Sequence, residues 1–215
     1  MPILYLVRHA ETIWNTEKRM QGHRDSPLST LGQQQSRWLG ARFSEVPLSA
    51  AYVSDLGRAR ETFHLMFERP PAPPVCFCEE LREIALGQWE GESIQALAEQ
   101  YPEAFNNFRH HPERYARPDG ESLPGFIQRI STFFDYLLAK HSDEDILILT
   151  HGVAMTAITH HLENRNLTDF WKDGSIPSTA VTTIEYHSGC AKILSRMDIS
   201  HYAEELTPVS WFAEK

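Results

Sequence analysis

Residues 3–12 read ILYLVRHAET, an apolar run that ends abruptly in Arg8 and His9. A run this apolar predicts a strand that is buried on both faces, as the strands of parallel sheets are. The polar residues that follow it are then expected at the carboxyl end of the strand, where open α/β sheets bind their ligands. We therefore take this stretch as the strand around which the rest of the chain is arranged.

A second stretch of the same kind lies far along the chain, where residues 146–152 read ILILTHG. It also ends in a histidine, His151, directly after an apolar run. Because the carboxyl ends of parallel strands meet at the same edge of a sheet, we expect His9 and His151 to lie close together.

The rest of the chain alternates short apolar runs with helical segments, which predicts an α/β fold. Further strands are expected at residues 50–54, 75–78, 180–186 and 192–196. Helices are expected at residues 33–43, 55–66, 93–101, 122–140 and 153–162. The prediction is a three-layer α/β/α sandwich with a mostly parallel central sheet, formed by one domain over residues 1–215.

Residues 102–120 are expected to be the least regular part, because Pro102, Pro112 and Pro118 interrupt them. Aromatic and basic side chains are mixed throughout this segment. We predict a cap-like insertion around residues 102–127, which either covers a site or packs on the surface.

Charge and cysteine content limit the classes of function. The net charge of −9 argues against a broad nucleic-acid-binding surface. No apolar run approaches the roughly 18 residues of a membrane span, and no signal peptide precedes the first strand. Three cysteines without a C-x-x-C motif favour a reducing, cytoplasmic location. No pattern in the chain predicts an oligomeric state.

Four groups that are or can become cationic fall at expected strand or helix ends: Arg8, His9, Arg58 and His151. Guanidinium groups match the geometry of phosphate oxygens, and an imidazole can attack phosphorus to give a covalent intermediate. A carboxyl with a raised pKa, such as that of Glu83 in a following loop, can protonate the leaving oxygen. Other acids near it are Glu79, Glu80 and Glu90. This set supports phosphoryl transfer without a metal.

Four motifs resemble those of the histidine phosphatase superfamily, which has the phosphoglycerate mutase-like fold. Residues 6–12 (LVRHAET) look like its signature, and residues 54–62 (SDLGRARET) are similar to its second motif. Residues 81–91, with LREI and G-x-WEG, resemble its acid motif, and residues 150–152 (THG) resemble the last. The motifs occur in the family's order, and the resemblance covers nearly the whole chain.

The resemblance implies a role for each of these positions. His9 is implied as the nucleophile that becomes phosphorylated, with Arg8, Arg58 and His151 holding the phosphoryl group. Glu83 is implied to protonate the leaving oxygen and then to take a proton from water. No metal and no cofactor are implied.

A second set of residues matches family positions that contact phosphate or substrate: Asn15, Gln21, Gly22 and Gly152. One departure lies at residues 178–180, which read Ser-Thr-Ala where many relatives carry an asparagine.

Three functions are consistent with these residues. The first is a metal-independent phosphomonoesterase that hydrolyses small phosphorylated metabolites through a phosphohistidine. The second is a phosphoglycerate mutase-type transfer, and the third is a non-catalytic phosphoryl-binding protein. Only 68 positions separate Glu83 from His151, whereas glycolytic mutases of this family are longer here and exclude water. Hydrolysis is therefore the prediction.

Overall fold

A computed structural model describes residues 2–69, 71–187 and 190–203 of the chain. The strands are β1 (Ile3–Arg8), β2 (Ala50–Ser54), β3 (Val75–Cys78), β4 (Ile146–Thr150), β5 (Val181–His187) and β6 (Cys190–Asp198). The helices are α1 (Ile13–Thr16), α2 (Thr30–Phe43), α3 (Gly57–Met66), α4 (Ile94–Gln100), α5 (Pro102–His110), α6 (Leu123–Lys140) and α7 (Gly152–Leu162).

The six strands form one sheet in the order β3-β2-β4-β1-β5-β6. The first four strands run parallel, and β5 and β6 pair antiparallel at one side. Arg8 of β1 is in register with Thr150 of β4. The two strands therefore end at the same level, and His9 and His151 follow side by side.

Alternate side chains of the central strands pack into two separate cores. Leu6 and Ile148 belong to a core that includes residues of α6 and α7. Val7 and Leu149, their neighbours in sequence, belong to a core that includes residues of α2 and α3. Because successive strand residues point to opposite faces, both faces of the sheet are covered by helices. The predicted three-layer α/β/α fold is confirmed.

The expected helices have local causes in the sequence. Ser29 caps α2 by accepting a 2.9 Å hydrogen bond from the Gly32 N–H, so α2 begins at Thr30, earlier than the pattern predicted. Ser122 caps α6 in the same way, with the Gly125 N–H as donor. The apolar residues of α6 recur at helical spacing and face the core, as expected.

The expectation of an irregular segment at residues 102–120 was wrong for its first half. Pro102 occupies the start of α5, where a fixed φ and a missing N–H favour a helix. Phe105 and Phe108 lie three residues apart on the buried face of α5 and pack against Trp89. The proline that was interpreted as an interruption therefore begins a helix.

Short 3-10 helices complete the fold at Glu79–Leu81, Gly87–Trp89, Pro112–Arg114 and Leu167–Asp169. Across the described ranges, no helix combines the length and the apolar character that crossing a membrane requires. The assignment of residues 1–215 to a single domain stays a prediction, because residues 204–215 lie outside the described residues.

Candidate active site

A cavity lies at the carboxyl ends of the central strands. Eight of the nine residues selected from the sequence line it: Arg8, His9, Asn15, Gln21, Gly22, Arg58, Glu83 and Gly152. The ninth, His151, lies beside them, with its ring centroid 5.1 Å from that of His9. The structure therefore brings together residues that span most of the sequence.

The His9 ring is fixed in one tautomer by its neighbours. Its Nδ1 lies 2.7 Å from the carbonyl oxygen of Ala10, which can only accept, so Nδ1 carries the hydrogen. The Nε of Arg58 donates to Nε2 of His9 at 3.3 Å, which assigns the lone pair to Nε2. Burial, followed by the charges of Arg58 and Arg8, lowers the pKa of His9 well below its ordinary value. The neutral ring therefore presents a nucleophilic nitrogen.

Arg58 is 1% exposed and is held on every side of its guanidinium group. Its Nη1 forms a 2.8 Å ion pair with Asp25 and donates to the Arg24 carbonyl at 2.9 Å. Its Nη2 donates to the Gly22 carbonyl at 2.8 Å. Asp25 also accepts from the N–H of Gly57 at 2.6 Å, at the start of α3. Asp25 was not among the residues selected from the sequence, because nothing in its neighbourhood indicates contact with a residue 33 positions away.

Arg8 supplies a second, partly buried guanidinium at the end of β1. Its Nη1 donates to the Ile176 carbonyl, which sets the direction of the group. Its Nε is buried and has no hydrogen-bond partner among the described residues. Gly152 lies beside this atom, since a Cβ at Gly152 would be in ordinary van der Waals contact with the Nε, at 3.5 Å. An anion in the cavity can therefore accept from Arg8.

His151 lies behind the cavity and is completely buried. Its Nε2 lies 2.7 Å from the hydroxyl of Ser54, and its Nδ1 has no hydrogen-bond partner in the part of the chain that the structure describes. Burial, and then the charge of Arg58, lowers the pKa of His151 well below its ordinary value. His151 is therefore a neutral ring with one nitrogen left for a ligand.

Glu83 lies at the amino end of α7 and lines the cavity. Its Oε1 accepts from the N–H groups of Ile84 at 3.0 Å and Ala154 at 3.1 Å, and Oε2 accepts from Val153 at 3.0 Å. Burial raises the pKa of Glu83 above its ordinary value, although these hydrogen bonds and the nearby arginines oppose the shift. A carboxyl whose pKa is raised in this way can serve as a proton donor.

The three other acids near Glu83 in the sequence do not line the cavity. Glu79 is exposed, and neither it nor Glu80 lines the cavity. Glu90 is buried and accepts from the N–H groups of His23 at 3.0 Å, Leu86 at 2.9 Å and Arg24 at 3.1 Å. Glu90 therefore fixes the backbone of the loop that carries Gln21 and Gly22, while Glu83 is the acid that reaches the cavity.

Two amide side chains complete the polar part of the cavity. The Oδ1 of Asn15 accepts from the Thr12 N–H at 3.0 Å, in a reciprocal capping box at the start of α1. Its amide nitrogen is therefore the atom left for a ligand. The Oε1 of Gln21 is buried without a hydrogen-bond partner in the described ranges, and Gln21 also lines the cavity.

The insertion and a later loop form the outer wall. Phe105, Phe108 and Arg109 reach the cavity from α5, and Trp171 reaches it from the segment after α7. The Nε1 of Trp171 donates to the Phe108 carbonyl at 2.7 Å and ties the two segments together. The cap-like insertion around residues 102–127 stays a prediction, and Trp171 was not among the residues selected from the sequence, because no motif surrounds it.

Comparisons with known proteins agree with this arrangement. The model of the histidine phosphatase superfamily (branch 1) matches residues 4–199. Phosphoserine phosphatase 1 of Hydrogenobacter thermophilus is 32% identical over 80% of this chain and 81% of its own length. A probable phosphoglycerate mutase, GpmB of Salmonella arizonae, is 32% identical over 71% of this chain and 70% of its own.

A solved structure, that of YhfR from Bacillus stearothermophilus, is 37% identical and superposes with a TM-score of 0.89. The match covers 94% of this chain and 99% of YhfR. These matches confirm the predicted family and its phosphoglycerate mutase-like fold. The chain belongs to branch 1 of the histidine phosphatase superfamily.

Proposed function

We propose that this chain is a phosphomonoesterase that hydrolyses small phosphorylated metabolites through a phosphohistidine on Nε2 of His9. The observation that carries the proposal is the pairing of a neutral His9, whose Nδ1 hydrogen is held by Ala10, with the buried guanidinium of Arg58 at its Nε2. The nucleophilic Nε2 of His9 and the phosphate-binding guanidinium of Arg58 therefore lie side by side, where a phosphoryl group can contact both.

In the first step, the Nε2 lone pair of His9 attacks phosphorus, and the bond from phosphorus to the leaving oxygen breaks. Arg8, Arg58 and the Nδ1 of His151 stabilise the negative charge on the three remaining phosphoryl oxygens. Glu83 transfers its proton to the leaving oxygen, so that an alcohol departs rather than an alkoxide.

In the second step, water attacks the phosphohistidine from the side that the alcohol has left. Glu83, now ionised, takes a proton from that water, and the bond between phosphorus and Nε2 breaks. Inorganic phosphate departs, while His9 returns to its neutral form and Glu83 to its protonated form. Each group therefore ends the cycle in the state in which it began.

We favour hydrolysis over mutase transfer because the segment between Glu83 and His151 is short. The 68 positions between Glu83 and His151 leave little chain to build a cover that keeps water from the phosphohistidine. The net charge of −9 supports a small-molecule substrate rather than a nucleic acid, and the odd number of cysteines supports a cytoplasmic location.

The test measures phosphate release from phenyl phosphate and 3-phosphoglycerate in the presence of a chelator. The protein is compared with His9→Ala and with His110→Ala, a change at an exposed histidine outside the cavity. Isomerisation of 3-phosphoglycerate is followed in the same reactions. We expect release that continues in chelator, disappears in His9→Ala and persists in His110→Ala.

Each other result changes the assignment. Isomerisation without release assigns the protein to the mutases. Release that survives in His9→Ala removes His9 as the nucleophile, and the absence of any turnover favours a phosphoryl-binding protein.

A further inference from the structure

The backbone of the loop that carries Glu83 is held by an arginine that does not itself line the cavity. Arg129 lies on α6, and its Nη1 donates to the carbonyls of Glu80 at 2.8 Å and Arg82 at 3.2 Å. Its Nη2 donates to the carbonyl of Glu83 at 3.3 Å. One planar guanidinium therefore binds three carbonyls of the segment that ends at Glu83.

Glu121 fixes the orientation of this guanidinium. Its Oε1 accepts from the Nε of Arg129 at 2.9 Å, and its Oε2 accepts from the Nη2 at 2.8 Å, which is the bidentate geometry of a strong ion pair. The side chains of Arg129 and Glu121 are 24% and 26% exposed. Burial raises the pKa of Glu121, but hydrogen bonds from Arg129 and the Ala85 N–H outweigh it and hold the pKa below its ordinary value. Glu121 is therefore ionised and forms a charged pair with Arg129.

Glu121 also holds the chain on the other side of Glu83. Its Oε2 accepts from the Ala85 N–H at 2.9 Å, and its own N–H donates to the Ala85 carbonyl at 2.9 Å. The Glu83 carbonyl accepts a further hydrogen bond from Nε2 of His23 at 2.9 Å. A rotation of the backbone at Glu83 would therefore break hydrogen bonds to three side chains, those of Arg129, Glu121 and His23.

We propose that Arg129 and Glu121 are positioning residues for the proton donor, because their ion pair holds the backbone on both sides of Glu83. The inference rests on the proposed function, in which Glu83 protonates the leaving oxygen. A proton donor must lie within hydrogen-bond reach of that oxygen, and a displacement of about 1 Å can cost about 10²-fold in rate. Neither Arg129 nor Glu121 lines the cavity, so both act on the reaction through Glu83.

Arg129→Met tests this role, since it removes every donor of the guanidinium and keeps an apolar stem. The readout is kcat/KM for two substrates, phenyl phosphate, whose leaving group needs a proton, and 4-nitrophenyl phosphate, whose leaving group departs without one. We expect a loss of about 10- to 100-fold for phenyl phosphate and of less than about threefold for 4-nitrophenyl phosphate. Arg129→Lys keeps the charge without the planar fork and should give an intermediate loss for phenyl phosphate alone.

The same change in a Glu83→Gln background separates positioning from a general effect on structure. Once the carboxyl is absent, its position no longer matters. Adding Arg129→Met to Glu83→Gln should therefore lower kcat/KM for phenyl phosphate by less than about twofold more. An equal loss from Arg129→Met in the two backgrounds overturns the proposal, because the arginine would then act independently of Glu83.

Arg42 provides a matched control. It lies on α2, outside the cavity lining, and pairs with Asp198 at 2.8 Å, with side-chain exposures of 23% and 33%. Arg42→Met removes an ion pair of similar burial, and we expect kcat/KM to stay unchanged for both substrates. The free energy of unfolding in urea is measured for both methionine variants. A loss confined to phenyl phosphate in Arg42→Met as well would overturn the specific role of Arg129.

The outcomes separate this inference from the proposed function. Parallel losses for the two substrates in the Arg129 variants overturn the positioning role and leave the phosphatase intact. If Arg129→Met does not fold, Arg129→Lys provides the same comparison of the two substrates. Failure of the unaltered protein to hydrolyse either substrate contradicts the proposed function itself.

Discussion

The Nε of Arg58 lies 3.3 Å from the Nε2 of His9, and Asp25 holds the other side of the same guanidinium through a 2.8 Å ion pair. Arg58 is 1% exposed, whereas the Asp25 side chain is 37% exposed. A carboxylate at the protein surface therefore sets the position of a buried cation beside the proposed nucleophile.

Replacing Asp25 is expected to reduce catalysis more than stability. Asp25→Asn keeps an oxygen that can cap α3 but loses the charge that orients Arg58. We expect kcat for phenyl phosphate to fall about tenfold, equivalent to ~1.4 kcal/mol in the activation barrier. The free energy of unfolding, measured with urea, should change by less than about 1 kcal/mol. Asp143→Asn, at an exposed position, is the matched control, and an equal kcat in both variants would contradict the positioning role.

The pH dependence of kcat/KM follows from two pKa shifts, which lower the pKa of His9 and raise that of Glu83. Burial lowers the pKa of His9 well below its ordinary value, so the ring stays neutral in mildly acidic solution. Burial raises the pKa of Glu83, so its carboxyl stays protonated to higher pH than usual. Activity should fall as the pH drops through the pKa of His9 and as it rises through that of Glu83. We expect an optimum on the acidic side of neutrality, and an optimum in alkaline solution would contradict this pairing.

Glu83→Gln tests the proton donor directly. An amide cannot supply the proton, so kcat/KM for phenyl phosphate, which reports the steps up to formation of the phosphohistidine, should fall by about 10²–10⁴-fold. The loss of kcat/KM should be much smaller for 4-nitrophenyl phosphate, whose leaving group departs without a proton. The fall of activity at high pH should also disappear. Glu79→Gln is the control at an exposed acid. The same loss for both substrates in Glu83→Gln would show a structural rather than a proton-donating role.

Much of this arrangement could be predicted from the sequence because the deciding signals are local. The apolar runs before His9 and His151 fix two strands, and parallel pairing brings Arg8 into register with Thr150. The serine caps of α2 and α6 likewise depend on residues three positions away. Where a motif, a strand end and a helix start coincide, the residues of the site could be named in advance.

The remaining features depend on contacts between distant segments. Glu83 and Glu90 are the same residue type and lie close together in the sequence, so the sequence does not distinguish them. Their backbone partners do: Glu83 accepts from the Ala154 N–H and reaches the cavity, whereas Glu90 accepts from the His23 N–H and fixes a loop. Asp25 and Trp171 act through residues 33 and 63 positions away. Neither the local sequence pattern nor the four family motifs indicate these contacts between distant residues.

Gly22 is the position where the loop held by Glu90 tolerates no side chain. Its φ is +54°, and a Cβ there would lie 2.3 Å from Oε1 of Glu90. Gly174 is a matched control, since its φ is +72° but a Cβ there would meet nothing within 4 Å. We expect Gly174→Ala to cost about 1–2 kcal/mol from backbone strain alone, and Gly22→Ala to cost a further 1–3 kcal/mol or so from the clash. Urea unfolding measures both.

Gly22→Ala should also reduce kcat/KM, because the Gly22 carbonyl accepts from Nη2 of Arg58. Equal free energies of unfolding for the two alanine variants would show that the Glu90 carboxylate moves away at little cost.

Ser54 gives a last test through its contact with His151. We expect the Ser54 hydroxyl to donate to Nε2 of His151, 2.7 Å away, because the described residues offer its hydrogen no other acceptor. The hydrogen of the neutral His151 ring then resides on Nδ1, where it can donate to a phosphoryl oxygen. Ser54→Ala removes this preference, and we expect kcat/KM for phenyl phosphate to fall about tenfold.

Ser36→Ala is the control for the loss of a buried hydroxyl. Ser36 is as fully buried as Ser54 and donates to the Gly32 carbonyl at 2.8 Å, but it belongs to α2, away from the cavity. Both variants should lose about 1 kcal/mol of stability from one buried hydrogen bond, whereas only Ser54→Ala should lose activity. If the two variants keep the same kcat/KM, the tautomer of His151 does not depend on Ser54, and another group must direct its Nδ1 hydrogen toward the phosphate.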